Sequence, residues 1–86
     1  MKRIIDPHGS EQMNITGKNI RQLRLNAGLS QKELSARLET MAVYVCRGSL
    51  SRIENGSRAV TDIELEALAQ ALRVSVERLF YTGAAH

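Results

Sequence analysis

The strongest restriction on the fold comes from two short segments, GLSQKELSARL at residues 28–38 and SLSRIENG at residues 49–56. Leu50 and Ile53 lie three positions apart, so they share one face of a helix and can anchor it to a core. The outer face of that helix then carries small polar and guanidinium groups and almost no bulk. Such a helix can bring its backbone close to base edges in the major groove of DNA. The pattern therefore predicts sequence-specific binding of double-stranded DNA.

The composition favours helices. A chain of 86 residues is long enough for one domain with a modest core. It contains no Trp, one Phe and two Tyr, so the core must be built from aliphatic side chains. It also has one Pro and few Gly outside predicted turns, and no segment carries a clear strand signal. We therefore predict a compact, all-α fold of five short helices.

Cysteine usage and hydropathy bear on the compartment. The single cysteine cannot form an internal disulfide, which favours a reducing compartment. No apolar run approaches the length of a membrane span, and the first residues, MKRIIDPHGSEQ, lack the apolar stretch of a secretory signal. We expect a cytoplasmic protein.

The charge is distributed unevenly along the chain. Residues 1–60 carry ten Lys and Arg against five Asp and Glu, whereas residues 61–86 carry two against four. The basic part coincides with the predicted DNA-reading segments, as is typical of proteins that bind a polyanion. Surface charges in a chain of this size can also scatter in this way by chance.

Periodicity divides the chain into a central domain and two ends. Residues 1–15 show no periodicity and are predicted to be a flexible N-terminal arm. Residues 16–81 are predicted to form the helical DNA-binding domain. The tail at residues 82–86 is expected to fray.

Capping signals mark the predicted helices. The first helix is expected at about residues 17–27, with Thr16 as its N-cap and Gly28 as its C-terminal stop. The third is expected at about residues 47–55, and a short fifth helix after Ser75. Two capping boxes, in which paired side chains satisfy each other's backbone donors, start helices two and four: Ser30 with Glu33, and Thr61 with Glu64. In the fifth helix, the residues predicted to face inward are Val76, Leu79 and Phe80.

The connection between helices two and three is long. Met41, Val43 and Val45 alternate within residues 39–46, which is consistent with a short extended piece. The interpretation that we favour is that helix two continues to about Met41 and that a loop follows.

Three segments in this order and spacing resemble the Cro and phage-repressor type of helix-turn-helix protein, the xenobiotic-response-element group. They span residues 20–38, 49–56 and 61–80. The resemblance implies a lambda-repressor-like fold and a transcriptional regulator that binds double-stranded DNA. The family usually has a tight turn between helices two and three, so residues 39–46 resemble a variant with an enlarged turn.

The resemblance also implies which residues read bases. Arg47, Ser49 and Arg52 match positions of the recognition helix that face base edges or nearby phosphates. Arginine on O6 and N7 of guanine is the commonest specific contact in the major groove, and we predict it for at least one of the two arginines. The alternative is that both bind only phosphate or lie in solvent. Gly48 stands where the family often has a base-reading side chain, so either fewer residues read bases or the helix approaches a thymine methyl group or the sugar backbone closely.

Other residues are assigned to the phosphate backbone, where they fix the register without reading sequence. Gln31 matches the family's glutamine at the start of helix two, and Asn55 matches the residue after the recognition helix. The start of helix two is well suited to a phosphate, although Lys32 alone could equally lie on a solvated face. The predicted phosphate contacts are Gln31, Lys32, Ser51, Asn55 and Arg58.

One buried ion pair is implied by the resemblance. Arg24 and Glu54 match a partly buried pair that ties helix one to helix three in the family. A lone buried carboxylate would be costly, and arginine offers it a bidentate partner.

No catalytic chemistry is predicted. Cys46 lies just before helix three, where a thiol can act as a redox sensor, although a small apolar plug or a capping position is the interpretation that we favour. The two histidines, His8 and His86, lie near the termini. We expect no metal site and no cofactor, and we do not expect an enzyme.

The predicted function is that of a repressor that occludes its promoter. One domain reads only about half a helical turn of DNA, so we expect a homodimer on a palindromic site. A second hypothesis is a protein-interaction module, such as an antitoxin that binds a toxin through the same fold. The candidate dimer surfaces are Phe80 and Tyr81 near the C-terminus, and Val43, Tyr44 and Val45 in the enlarged turn.

Overall fold

The protein is described by a computed structural model that covers residues 4–5 and 11–81. Its main body is helical, as the composition predicts. Within the described residues, the elements in chain order are β1 (Ile4–Ile5), β2 (Glu11–Gln12), α1 (Gly17–Asn26), α2 (Gln31–Thr40), α3 (Arg47–Glu54), α4 (Asp62–Leu72) and a 3-10 helix (Val76–Phe80). The predicted tail at 82–86 and most of the predicted arm at 1–15 lie outside these residues.

The predicted compact helical fold is confirmed, but the structure differs from the all-α, five-helix prediction in two details. The fifth helix is a 3-10 helix, a form that short helical segments of a few residues often adopt. The two-residue strands β1 and β2 pair antiparallel, with Ile4 opposite Gln12. Strands this short carry no hydrophobic periodicity from which they could be predicted.

The core is aliphatic and is shared by all the helices. Seven apolar side chains are almost completely buried, and Leu79 is the only one of them on the 3-10 helix. Val76 and Phe80, which were also predicted to face inward, are exposed. With three residues per turn, Phe80 is rotated by a third of a turn away from Leu79. The almost completely buried set is Ile20, Leu34, Leu38, Leu50, Ile53, Leu68 and Leu79.

Both predicted capping boxes are confirmed. At the start of α2, the backbone N–H of Glu33 donates to Oγ of Ser30 (3.0 Å), and the backbone N–H of Ser30 donates to Oε1 of Glu33 (2.8 Å). These bonds from Ser30 lower the pKa of the Glu33 carboxyl. Thr61 and Glu64 form the same pair of bonds at the start of α4, at 3.1 and 3.0 Å.

The start of α1 differs from the prediction. Thr16 occupies the N-cap position but makes no side-chain capping bond. Oδ1 of Asn14 instead accepts from the backbone N–H groups of Thr16 (3.0 Å) and Gly17 (2.7 Å). Nδ2 of Asn14 donates to the carbonyl oxygens of Ile53 (3.1 Å) and Arg58 (2.7 Å). Asn14 is buried, so the packed part of the chain begins before residue 16, where the domain was predicted to start.

In the enlarged turn, the helix-then-loop interpretation is the one observed. The helix α2 ends at Thr40, and Ala42 has a positive φ of 59°. Val45 is buried and its carbonyl oxygen accepts a hydrogen bond from Ser35, whereas Tyr44 is 74% exposed. Burial removes Val45 from the candidate dimer surface and leaves Tyr44 on it.

None of the helices described is long and apolar enough to cross a membrane.

Candidate DNA interface

The helix α3 is held from one side and open on the other. Leu50 and Ile53 are completely buried, and they anchor the helix against α1 and α2. Arg47, Gly48 and Arg52 are exposed, whereas the two serines that the sequence assigned to DNA contacts, Ser49 and Ser51, are half-buried. The segment is therefore helical with its guanidinium groups accessible, as an approach to a groove requires.

At Gly48, in the first turn of α3, the helix surface carries no side chain. A Cβ added at Gly48 would meet nothing within 4 Å, so this position faces open space. Nothing bulky at Gly48 keeps another molecule away from the backbone there.

Cys46 occupies the N-cap position of α3 and is exposed, so it does not fill a gap in the core. Its Sγ lies 3.4 Å from Oγ of Ser49. Hydrogen bonds from the hydroxyl and the backbone N–H of Ser49 lower the pKa of the Cys46 thiol, and the backbone of Gly48 and the charge of Arg52 act in the same direction.

A buried ion pair fixes α3 against the first two helices. Nε of Arg24 lies 2.7 Å from Oε2 of Glu54, and Nη2 of Arg24 donates to Oε1 of Glu54 at 3.0 Å. Nη1 of Arg24 donates to the carbonyl oxygen of Leu29 (2.8 Å), and Nε2 of Gln31 donates to Oε1 of Glu54 (3.1 Å). The structure therefore brings together the Arg24 and Glu54 that the resemblance paired, and it adds Gln31 to their network.

Most of the predicted phosphate contacts lie beside α3. Gln31 and Lys32 form the first turn of α2, and Lys32 is exposed. A cleft of about 270 Å³ lies between α1, α2 and α3, and Gln31, Ser51 and Asn55 line it. Oδ1 of Asn55 accepts from the backbone N–H of Ser57 at 3.0 Å, so its amide nitrogen is the end available to a ligand.

Arg58 is placed differently from the other predicted phosphate contacts. Its Nη1 and Nη2 donate to the carboxylate of Glu64 at 2.9 and 2.8 Å, and Nη1 also donates to the carbonyl oxygen of Ala59. The ion pair raises the pKa of Arg58 and lowers that of Glu64. Arg58 is not among the residues that line the cleft, and its guanidinium is already engaged.

Two cations in the cleft were missed from the sequence. Lys18 and Arg21, both on α1 and both exposed, line it together with the polar groups of α2 and α3. They lie three positions apart and therefore on one face of α1, outside the apolar stripe of Ile20 and Leu23. That spacing was the available signal, but a pair of cations on a helix is common enough that the sequence alone does not single it out.

The helix α3 is short and presents exposed arginines, and its other side is held by Leu50, Ile53 and the buried ion pair. This arrangement defines a helix-turn-helix DNA-binding domain. The sequence pattern of the helix-turn-helix family matches residues 20–79. The chain belongs to this family, and within it to the Cro and xenobiotic-response-element type.

Three proteins with similar sequences or structures are regulators. The uncharacterized HTH-type transcriptional regulator y4dJ of Sinorhizobium fredii is 40% identical over 65 residues, which cover 76% of this chain and 78% of that protein. The restriction-modification controller protein C.AhdI from Aeromonas hydrophila superimposes with a TM-score of 0.67 at 31% identity, over 76% of this chain and 91% of its own. The clp gene regulator ClgR from Corynebacterium glutamicum superimposes with a TM-score of 0.66 at 28% identity, over 76% of this chain and 64% of its own. The chain is thus a DNA-binding transcription regulator.

Proposed function

We propose that the protein is a cytoplasmic repressor that binds a short palindromic duplex as a homodimer, with α3 of each chain in the major groove. The observation that carries this proposal is the division of α3 into a completely buried side, Leu50 and Ile53, and an exposed side with Arg47 and Arg52. Only the exposed side is available for a partner, and it carries the groups that recognise guanine and phosphate.

The two arginines are proposed to read different base pairs. They lie five positions apart, which corresponds to about 7.5 Å along a helix axis at 1.5 Å per residue. Neighbouring base pairs are about 3.4 Å apart, so side chains at these two positions reach bases about two steps apart. Ser49 and the bare backbone at Gly48 are proposed to contact base edges between them.

Phosphate contacts are proposed to set the register of α3. Gln31 and Lys32 lie at the positive end of the α2 dipole, where a phosphate is favoured. Ser51 and Asn55 flank the same cleft from α3. Arg58 is proposed as a contact only if it shares its guanidinium between Glu64 and the DNA.

The dimer is proposed to form through the C-terminal apolar surface. Val76, Phe80 and Tyr81 are 40%, 45% and 42% exposed, a concentration of apolar surface within six residues. A two-fold dimer would present two copies of α3 to adjacent major grooves, one helical turn of DNA apart. Binding across a promoter would then block polymerase directly.

Selection of bound duplexes from a random pool tests DNA recognition. The selected sites should contain two inverted half-sites about ten base pairs apart, centre to centre. Arg47→Ala and Arg52→Ala should then be measured on the selected duplex and on a scrambled one. Loss of a guanine contact predicts about 5- to 150-fold weaker binding to the selected duplex and little change on the scrambled one. Equal losses on both duplexes would mean that these arginines bind phosphate only.

Two further measurements test the dimer and the sign of regulation. Sedimentation of the complex should show two chains per duplex, and Phe80→Asp should reduce this to one. A reporter whose start site overlaps the selected duplex should be transcribed less when the protein is expressed. Increased transcription would contradict the repressor assignment while leaving DNA binding intact.

A further inference from the structure

We propose that α1 contributes two cations to a phosphate-binding site, in which Lys18 and Arg21 hold a DNA backbone phosphate in the cleft between α1, α2 and α3. This inference rests on the proposed docking of α3 in the major groove. The cleft has a volume of about 270 Å³ and brings groups from three helices to one place. Its lining residues are Lys18, Arg21, Gln31, Ser51, Glu54 and Asn55.

The close packing of α1 against α3 puts the cations there. A Cβ added at Gly17 would lie 2.0 Å from the carbonyl oxygen of Ile53, so only glycine allows the two backbones to come this close. The backbone N–H of Met13 also donates to the carbonyl oxygen of Gly56 at 2.7 Å. These contacts hold the first turn of α1, which carries Lys18, beside the end of α3.

The net charge of the cleft suits a phosphate. Glu54 is its one acidic lining residue, and the bidentate pair with Arg24 compensates that charge. Within the described residues, no carboxylate lies within ion-pair distance of Lys18 or Arg21. Two positive charges therefore remain for an anion, and both are exposed enough to reach one.

Neutral donors complete the site. Nε2 of Gln31 carries two hydrogens, and its bond to Glu54 uses one of them. The hydroxyl of Ser51 and the amide nitrogen of Asn55 come from α3, next to the groove that this helix would occupy. Cationic side chains and neutral hydrogen-bond donors, without an unpaired carboxylate, suit a phosphodiester oxygen. Such contacts carry no base preference.

The test uses the double variant Lys18→Gln/Arg21→Gln, the two single variants, and Arg73→Gln as a control that removes one cation away from the cleft. Arg73 is an exposed cation at the C-terminal end of α4 and does not line the cleft. On the selected duplex at low salt, we expect the double variant to bind about tenfold more weakly, with the same ratio of affinities for selected and scrambled DNA. The slope of log K against log salt should become shallower by about one, since each lost phosphate contact accounts for about 0.9. The control should keep the wild-type slope.

A scan with neutral methylphosphonate linkages, placed one at a time, locates the phosphate. In each half-site, we expect one position at which neutralisation weakens DNA binding by the wild-type protein but not by the double variant. A double variant that keeps the wild-type salt slope and shows no such position would overturn the inference. If Arg52→Ala nevertheless lowers the preference for the selected duplex over the scrambled one, the proposed function stands. A wild-type protein without salt-dependent, sequence-preferring binding would overturn both.

Discussion

Arg24 and Glu54 form a bidentate ion pair between α1 and α3 in which the two side chains are only 8% and 2% exposed. The pair determines how α3 is presented, because Glu54 is on the helix whose outer side is proposed to read bases. Every contact of the Glu54 carboxylate described above comes from α1 or α2. Removing one member leaves the other charged and out of water, which costs far more than removing both.

We therefore expect Glu54→Leu to lower the free energy of unfolding by about 3–5 kcal/mol, since it leaves the Arg24 guanidinium buried without its counter-ion. The double variant Arg24→Met/Glu54→Leu should recover most of that loss, because it buries no charge. Urea denaturation of the wild type, both single variants and the double variant gives the four values needed. Losses that simply add in the double variant would mean that the two side chains are not coupled.

Gly17 is predicted to tolerate no side chain, since its Cβ would lie against the backbone of Ile53 rather than against a flexible side chain. We expect Gly17→Ala to destabilise the protein by about 1–3 kcal/mol through overpacking. Gly48→Ala is the matched control, because it is the same substitution in a helix with open space around it. Thermal or urea denaturation compares the two. Equal stability for both variants would show that the approach of α1 to α3 can relax.

Gly48 also separates folding from DNA binding. We expect Gly48→Ala to stabilise the free protein by about 0.5–1 kcal/mol, because alanine is the better helix former. The same methyl group should weaken binding to the selected duplex by about tenfold if the backbone of α3 approaches the DNA as closely as we propose. Fluorescence anisotropy with labelled duplexes measures this. A stabilised variant with unchanged affinity would mean that the DNA does not touch α3 at this residue.

Local patterns were sufficient for much of the fold but not for all of it. The capping boxes Ser30–Glu33 and Thr61–Glu64 depend on residues three positions apart, and both were predicted and observed. Asn14 was missed because its Nδ2 binds carbonyl oxygens 39 and 44 positions away, at Ile53 and Arg58. No spacing in the sequence records such contacts.

The candidate site was predictable to a similar degree. The exposed side of α3 follows from the spacing of Leu50 and Ile53, and the partnership of Arg24 and Glu54 came only through the family resemblance. Lys18 was overlooked, since its proposed role depends on the packing of α1 beside α3. Arginine is a residue type that often contacts phosphate, but the guanidinium of Arg58 is bonded to Glu64. Residue type alone therefore does not assign a charged side chain to the surface that binds DNA.

Glu64 should contribute stability that depends on pH. Hydrogen bonds from Arg58 lower the pKa of its carboxyl below the ordinary value of 4.5. A group with a depressed native pKa stabilises the fold above its unfolded pKa, and that stabilisation is lost as the pH falls through the native value. We expect Glu64→Gln to cost about 1 kcal/mol at pH 7 and progressively less between pH 5 and pH 3. Urea midpoints across this range, with Glu66→Gln as an exposed control on the same helix, measure the difference. A gap between wild type and Glu64→Gln that is as large at pH 3 as at pH 7 would show that the stabilisation does not come from the ionised pair.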